Sequence, residues 1–120
     1  EFPIFEIGKS YHDSAKEKIK KIKINEVLLI MTKYNTGLCI FTKNKLFYGL
    51  MSDGDVRRYL SKNIDNEFLD PEIINTDPFV IEKLNLKLNE IKDKLRLRFI
   101  PVVIDNIAVG LLDTHRNLLP

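Results

Sequence analysis

A chain of 120 residues has room for one compact domain or two very small packed motifs. Its 44% hydrophobic and 30% charged content is that of a core-building globular protein, which excludes disorder along the whole length. With 19 Lys and Arg against 17 Asp and Glu, a net charge of +2 is too weak a field for a protein living on a nucleic-acid backbone.

The lone cysteine, Cys39, excludes an internal disulfide framework or a cysteine-built zinc site, and it suits a reducing, cytoplasmic setting. No apolar run approaches the roughly 20 residues of a membrane helix, and the first residues lack a signal-peptide pattern. Without an initiating Met, the chain reads as a piece of a longer protein.

In chain order, residues 1–15 form a leading segment without clear period, expected as a short helix or a mobile arm. The run Lys16-Glu17-Lys18-Ile19-Lys20-Lys21-Ile22-Lys23 alternates isoleucine with lysine, which predicts a strand with a solvated lysine face and an extended stretch over residues 19–24. Asn25 is the expected N-cap of a helix whose Val27, Ile30, Met31 and Tyr34 share one face, with Gly37 releasing the chain. Two apolar runs, residues 38–41 and 46–51, flank a polar turn and read as a hairpin. A short helix over residues 55–60 follows.

Laying Gly49 on Gly110 repeats this pattern at a gapless offset of 61 residues. The second copy has an extended stretch at residues 79–81 and a helix over 86–97 with Leu88, Ile91 and Leu95 on one face. Its hairpin over residues 99–112 turns at Asp105-Asn106, and a last helix covers 114–119. Each half reads β-α-β-β-α, so the fold class expected is α/β (α+β). The boundaries are 16–62 for the first motif, 63–75 for a linker carrying Asn63, Asp65, Asn66 and Pro71, and 76–120 for the second. Both hairpins carry a glycine at the same place, as at a bulge or a close backbone approach.

The densest chemistry lies in Gly49-Leu50-Met51-Ser52-Asp53-Gly54-Asp55-Val56-Arg57-Arg58, where a strand runs into polar residues that open a helix. Ser52-x-x-Asp55 is a capping box with Asp in place of Glu, and Asp53 and Asp55 suit the positive end of a helix dipole. Two adjacent arginines gain little from a helix start. A functional reading uses the same atoms as a nucleotide grip: hydroxyl and carboxylate for vicinal ribose hydroxyls, and Arg57 or Arg58 as a bidentate clamp on phosphate.

That string resembles the closing signature of a CBS domain, in which a glycine-bearing strand leads to Ser/Thr-x-x-Asp on the next helix. The fuller form is similar to the CBS pairs of arabinose 5-phosphate isomerases and of some sugar nucleotidyltransferases. Ile74-Asn75-Thr76-Asp77-Pro78-Phe79-Val80 resembles the entry of a second CBS motif, and Arg98-Phe99-Ile100-Pro101-Val102-Val103 its central strand. The resemblance covers about residues 19–119. It implies a tandem CBS pair, or Bateman module, with two motifs about a pseudo-twofold axis. The pair would be non-catalytic and dimeric, with clefts between motifs taking AMP, ADP, ATP or a cytidine sugar nucleotide, and no cofactor required. It would regulate an attached catalytic domain, first of all a sugar-phosphate isomerase of surface-polysaccharide synthesis, with nucleic acid and membrane excluded as partners. A ligand-free dimerisation scaffold is the competing reading. Ser52 and Asp55 match the ribose-binding hydroxyl and carboxylate. In the second half Asp113 stands for the Ser/Thr and Arg116 for the Asp, so no second site of that type is expected.

Rival constellations are weaker. Asp53-Gly54-Asp55 is also an Asp-x-Asp pair able to hold Mg²⁺ or Mn²⁺, but glycosyltransferase folds need far more chain. His12 and His115 have no partner at ligand spacing. Cys39, in an apolar strand, reads as a buried structural thiol rather than a nucleophile.

Overall fold

The structure, a computed structural model, describes residues 2–8, 14–94 and 96–115. Strand β1 (Ile4–Glu6) leads, followed by helices α1 (Ala15–Ile19) and α2 (Ile24–Tyr34). Strands β2 (Leu38–Lys43) and β3 (Leu46–Ser52) then run into α3 (Asp53–Lys62). Further on, β4 (Phe99–Ile104) and β5 (Ile107–Asp113) make a second hairpin. The described residues fall into two compact units, the first of residues 3–78 and the second of those from residue 79 on together with Phe2.

The duplicated hairpins are built alike down to single residues. Asn44 and Lys45 hold φ of 52° and 68°, and Asp105 and Asn106 hold 51° and 66°. Two positive φ values in a two-residue loop are the signature of a type I′ turn, whose twist matches the strands it joins. In the first hairpin Phe41 faces Gly49 and Thr42 faces Phe47, leaving Tyr48 as a bulge. In the second Val102 faces Gly110 and Val103 faces Ala108, leaving Val109 as the bulge. The offset of 61 read from the glycines therefore runs through the pairing register.

In the first unit β1 lies parallel to β2, giving a sheet of order β1-β2-β3. Apolar residues of α2 (Ile24, Val27, Met31) and of the hairpin (Cys39, Phe41, Met51) share its core with Ile19, Val56, Leu69 and Ile74. Phe5 of β1 packs a tilted ring on Phe41, centroids 5.9 Å apart. Burial pushes the Cys39 thiol up to about 12. Cys39 is accordingly expected to resist alkylation by iodoacetamide at pH 8 in the folded protein and to react fully in denaturant; mass spectrometry of the modified chain reads the difference.

Four expectations change. The leading segment contains a strand, β1, not a helix; three residues are too few to show a period. The Lys16–Lys23 run is not a strand: Ser14 caps α1 by accepting the Glu17 N–H at 3.2 Å, and only Lys23 bridges, to Phe68. Isoleucines at 19, 22 and 24 are all buried, because a helical turn followed by a tight turn brings them inward together. Helix α2 starts at Ile24 with Lys23 as N-cap, so Asn25 lies within its first turn, and it ends at Asn35 (φ 53°), before Gly37. Finally, residues 86–97 do not form one helix. Two 3-10 turns stand there, Leu88–Glu90 and Lys92–Lys94. Asn85, Asn89 and Asp93 recur every four residues, and Asn and Asp are weak helix formers in a helix interior. The core beneath is small, with Ile81, Ile91 and Ile100 buried among the described residues. Ile81, the expected extended stretch, bridges Val102 in parallel. The last predicted helix lies mostly outside the described residues.

Candidate functional site

Ser52 ends β3 in an extended conformation and its side chain turns back over the first turn of α3. Its hydroxyl accepts the Asp55 N–H at 3.1 Å and donates to Asp55 Oδ2 at 2.8 Å, while the Ser52 N–H reaches the same oxygen at 3.2 Å. This is the reciprocal capping box the spacing predicts. The Asp53 N–H, free at a helix start, is taken by the Gly37 carbonyl at 2.8 Å.

Both arginines find acids within the helix. Arg58 Nη2 lies 2.5 Å from Asp55 Oδ1, and Arg57 Nη2 lies 3.8 Å from Asp53 Oδ2. The expectation that capping leaves the arginines unexplained is thus corrected, since pairs three and four residues apart sit on one helix face. The Arg57 pair is well exposed and contributes little. Asp55 is different: its side chain is 34% exposed. Burial pushes its carboxyl up, but the hydroxyl and N–H of Ser52 and the hydrogen bond and charge of Arg58 outweigh this and hold it below the ordinary aspartate value.

Asp55 and Arg58 line an open cleft of about 710 Å³, with Tyr59 and Lys62 from the same helix. Its far side is Asn75, Thr76 and Asp77. That segment is fixed against β3, because Asn75 and Leu50 exchange two backbone hydrogen bonds of 2.8 and 2.9 Å. Gly49 permits the approach: a Cβ there would stand 2.6 Å from the Asn75 carbonyl oxygen. Of the five predicted residues, Asp55 and Arg58 therefore face the cleft, Ser52 holds Asp55 from behind, and Asp53 and Arg57 do not line it. Lys62, Thr76 and Asp77 were missed as site residues. Thr76 and Asp77 stood in the sequence only as the entry of the second motif, and nothing there places them against α3.

The second unit lacks this arrangement in its described part. Asp113, in place of Ser52, lies 3.8 Å from Arg98 Nε. Thr114 is buried and its hydroxyl donates to the carbonyls of Leu97 and Arg98 at 2.8 and 3.1 Å. His115 is exposed, whereas Arg116 and His12 lie outside the described residues. No group of three or more His, Cys, Asp or Glu converges among the described residues. No helix among them is long and apolar enough to cross a membrane.

No protein-family model matches the chain. An uncharacterized protein of Rickettsia prowazekii (strain Madrid E) is 32% identical over 97 residues, covering 75% of this chain and 29% of the relative. The chain thus spans under a third of that relative's length. Solved structures are similar over most of their length. The CBS-domain containing protein ATU1752 of Agrobacterium tumefaciens superposes with a TM-score of 0.67 at 12% identity, over 96% of this chain and 85% of that one. The CbpB protein of Listeria monocytogenes, solved in complex with c-di-AMP, gives a TM-score of 0.62 at 19% identity, over 81% and 78%. With its bulged hairpins and parallel leading strand, the chain has the mixed α/β fold of tandem CBS-domain structures.

Proposed function

We propose that the chain is a non-catalytic regulatory module that binds an adenine nucleotide in the cleft at the start of α3. The observation that carries this reading is the Asp55 carboxylate, held ionised by Ser52 and Arg58 and presented to a cleft of about 710 Å³. A ribose offers two adjacent hydroxyl donors, and Asp55 Oδ1 retains acceptor capacity for them beside Arg58. Arg58 and Lys62, on one face of α3, then stand where a phosphate needs cations. The c-di-AMP complex of the similarly folded CbpB supports an adenine nucleotide over a cytidine sugar nucleotide. Binding would favour one arrangement of the module over another and so bias an attached domain, in a dimer.

The Ser52-Asp53-Gly54-Asp55-Val56-Arg57-Arg58 string supports a sugar-phosphate isomerase as that attached domain. An isomerase domain encoded upstream of Glu1 is the expected finding, and a nucleotidyltransferase downstream of Pro120 would replace it.

Calorimetric titration with AMP, ATP and c-di-AMP tests the site. Asp55→Ala is expected to weaken binding at least tenfold while lowering stability by only about 1 kcal/mol, the usual cost of a lost cap. Asp55→Asn separates the two effects, because its amide oxygen can still accept from Ser52 in the cap while the charge is lost. Nucleotide binding unchanged in Asp55→Ala would reject the assignment.

A further inference from the structure

A second cleft, of about 800 Å³, opens on the first unit beside the Asp55 cleft; the two share Tyr59, Glu72, Ile74 and Thr76, but neither Ser52 nor Asp55 lines the second. That volume is within the roughly 300–1,000 Å³ of small-molecule sites. Among its lining are Lys16 of α1 and Lys20, the C-cap of that helix, four residues apart and so on one face. Neither lysine pairs with a carboxylate among the described residues. Three aromatic side chains also line it: Tyr48 at the β3 bulge, Tyr59 on α3, and Phe68.

This aromatic lining is braced. Asn66 donates its side-chain amide to the Tyr59 hydroxyl and accepts the Phe68 N–H at 3.3 Å. Phe68 also bridges Lys23 through the backbone, yet remains 38% exposed. Asp70 and Glu72 add carboxylate acceptors to the lining.

From this arrangement we infer that the cleft is a second binding site, for a phosphate monoester carried on a hydroxylated ring. Two ammonium groups on one face, without a carboxylate partner among the described residues, suit a phosphate dianion. Aromatic faces cover the ring, and the carboxylates take its hydroxyls. Both a nucleoside monophosphate and a sugar phosphate have this chemistry. The inference does not depend on the nucleotide reading of Asp55.

The full chain carrying Asp55→Ala isolates this site from the other. AMP, ribose 5-phosphate and inorganic phosphate are each titrated into it by calorimetry. Saturable binding of AMP or ribose 5-phosphate is expected, weakened at least tenfold by Lys16→Ala with Lys20→Ala. Both lysines are exposed and alanine favours helix, so a thermal melt should show the double variant folded. AMP binding alone identifies a nucleotide site, and binding of ribose 5-phosphate at equal affinity identifies a sugar-phosphate site. Three results overturn the inference: no saturable binding of either ligand, binding untouched by the lysine substitutions, or inorganic phosphate binding as tightly as both. Failure of the Asp55 reading would show separately, as nucleotide binding to the unsubstituted chain that Asp55→Ala does not change.

Discussion

Gly49→Ala is expected to destabilise the first unit by about 3 kcal/mol, whereas Gly110→Ala should change stability by less than about 0.5 kcal/mol. The two glycines hold the same register position beside the bulges of duplicated hairpins, facing Phe41 and Val102. Their surroundings differ. A Cβ on Gly49 would lie 2.6 Å from the Asn75 carbonyl oxygen and 2.9 Å from Ile74 Cγ2, while a Cβ on Gly110 would meet nothing within 4 Å. Asn75 cannot retreat cheaply, since both its backbone groups are bonded to Leu50 and neighbouring Ile74 is buried in the core. At Gly110 the new methyl occupies open space and restricts the unfolded chain, which offsets any loss. All four tyrosines precede residue 78 and the chain has no Trp, so tyrosine fluorescence in urea reads the Gly49→Ala effect on the first unit, and hydrogen-exchange mass spectrometry of the β4–β5 hairpin reads the Gly110→Ala effect on the second. Equal effects of the two substitutions would mean that the segment around Asn75 does not dock on β3. Because Asn75, Thr76 and Asp77 form one side of the Asp55 cleft, Gly49→Ala should also weaken nucleotide binding.

What the residues disclose unaided is local. The hairpins were legible because Asn44 and Asn106 sit in two-residue turns between apolar runs, and the duplication because glycine recurs at a fixed offset. The Ser52–Asp55 box was legible because its geometry spans one turn of backbone. Where the reading failed, local pattern was misleading or too short. Ile22 and Ile24 keep strand spacing, but Ile19, three residues before Ile22, would face the other way in a strand and instead fits a helical turn. Leu88, Ile91 and Leu95 keep helical spacing, but interleaved Asn and Asp and a small core leave only 3-10 turns. The parallel partner of β2 is residues 4–6, which lie 36 positions away in sequence with no period to mark them. Cleft walls are harder still. Lys16, Tyr48 and Phe68 come from three distant segments, and Thr76 reaches the Asp55 cleft only because Gly49 lets its segment onto β3.

Glu6→Gln should cost the first unit about 1–2 kcal/mol at pH 7, through a clamp that only the structure reveals. One oxygen of Glu6 accepts the N–H groups of Gly8 (2.5 Å) and Asn44 (3.0 Å). The other accepts the Thr42 hydroxyl (2.9 Å) and the Lys45 N–H (2.8 Å). Strand β1 is thereby tied to the type I′ turn of the neighbouring hairpin. Glutamine keeps the shape but turns one oxygen into an NH₂ group, which must face a backbone donor whichever way the amide is placed. Burial pushes the Glu6 carboxyl up, but the hydrogen bonds from Lys45, Thr42, Gly8 and Asn44 together outweigh it and hold it below its ordinary value of 4.5. A carboxyl whose folded value is depressed contributes stability above its unfolded value and loses it as pH falls through the folded one. The gap between Glu6→Gln and the unsubstituted protein should therefore be full at neutral pH and shrink as pH drops below 4.5. Urea titrations from pH 7 down to about 3, followed by tyrosine fluorescence, measure that gap. A difference that stays constant across the range would assign the loss to packing of β1 and not to the ionised clamp.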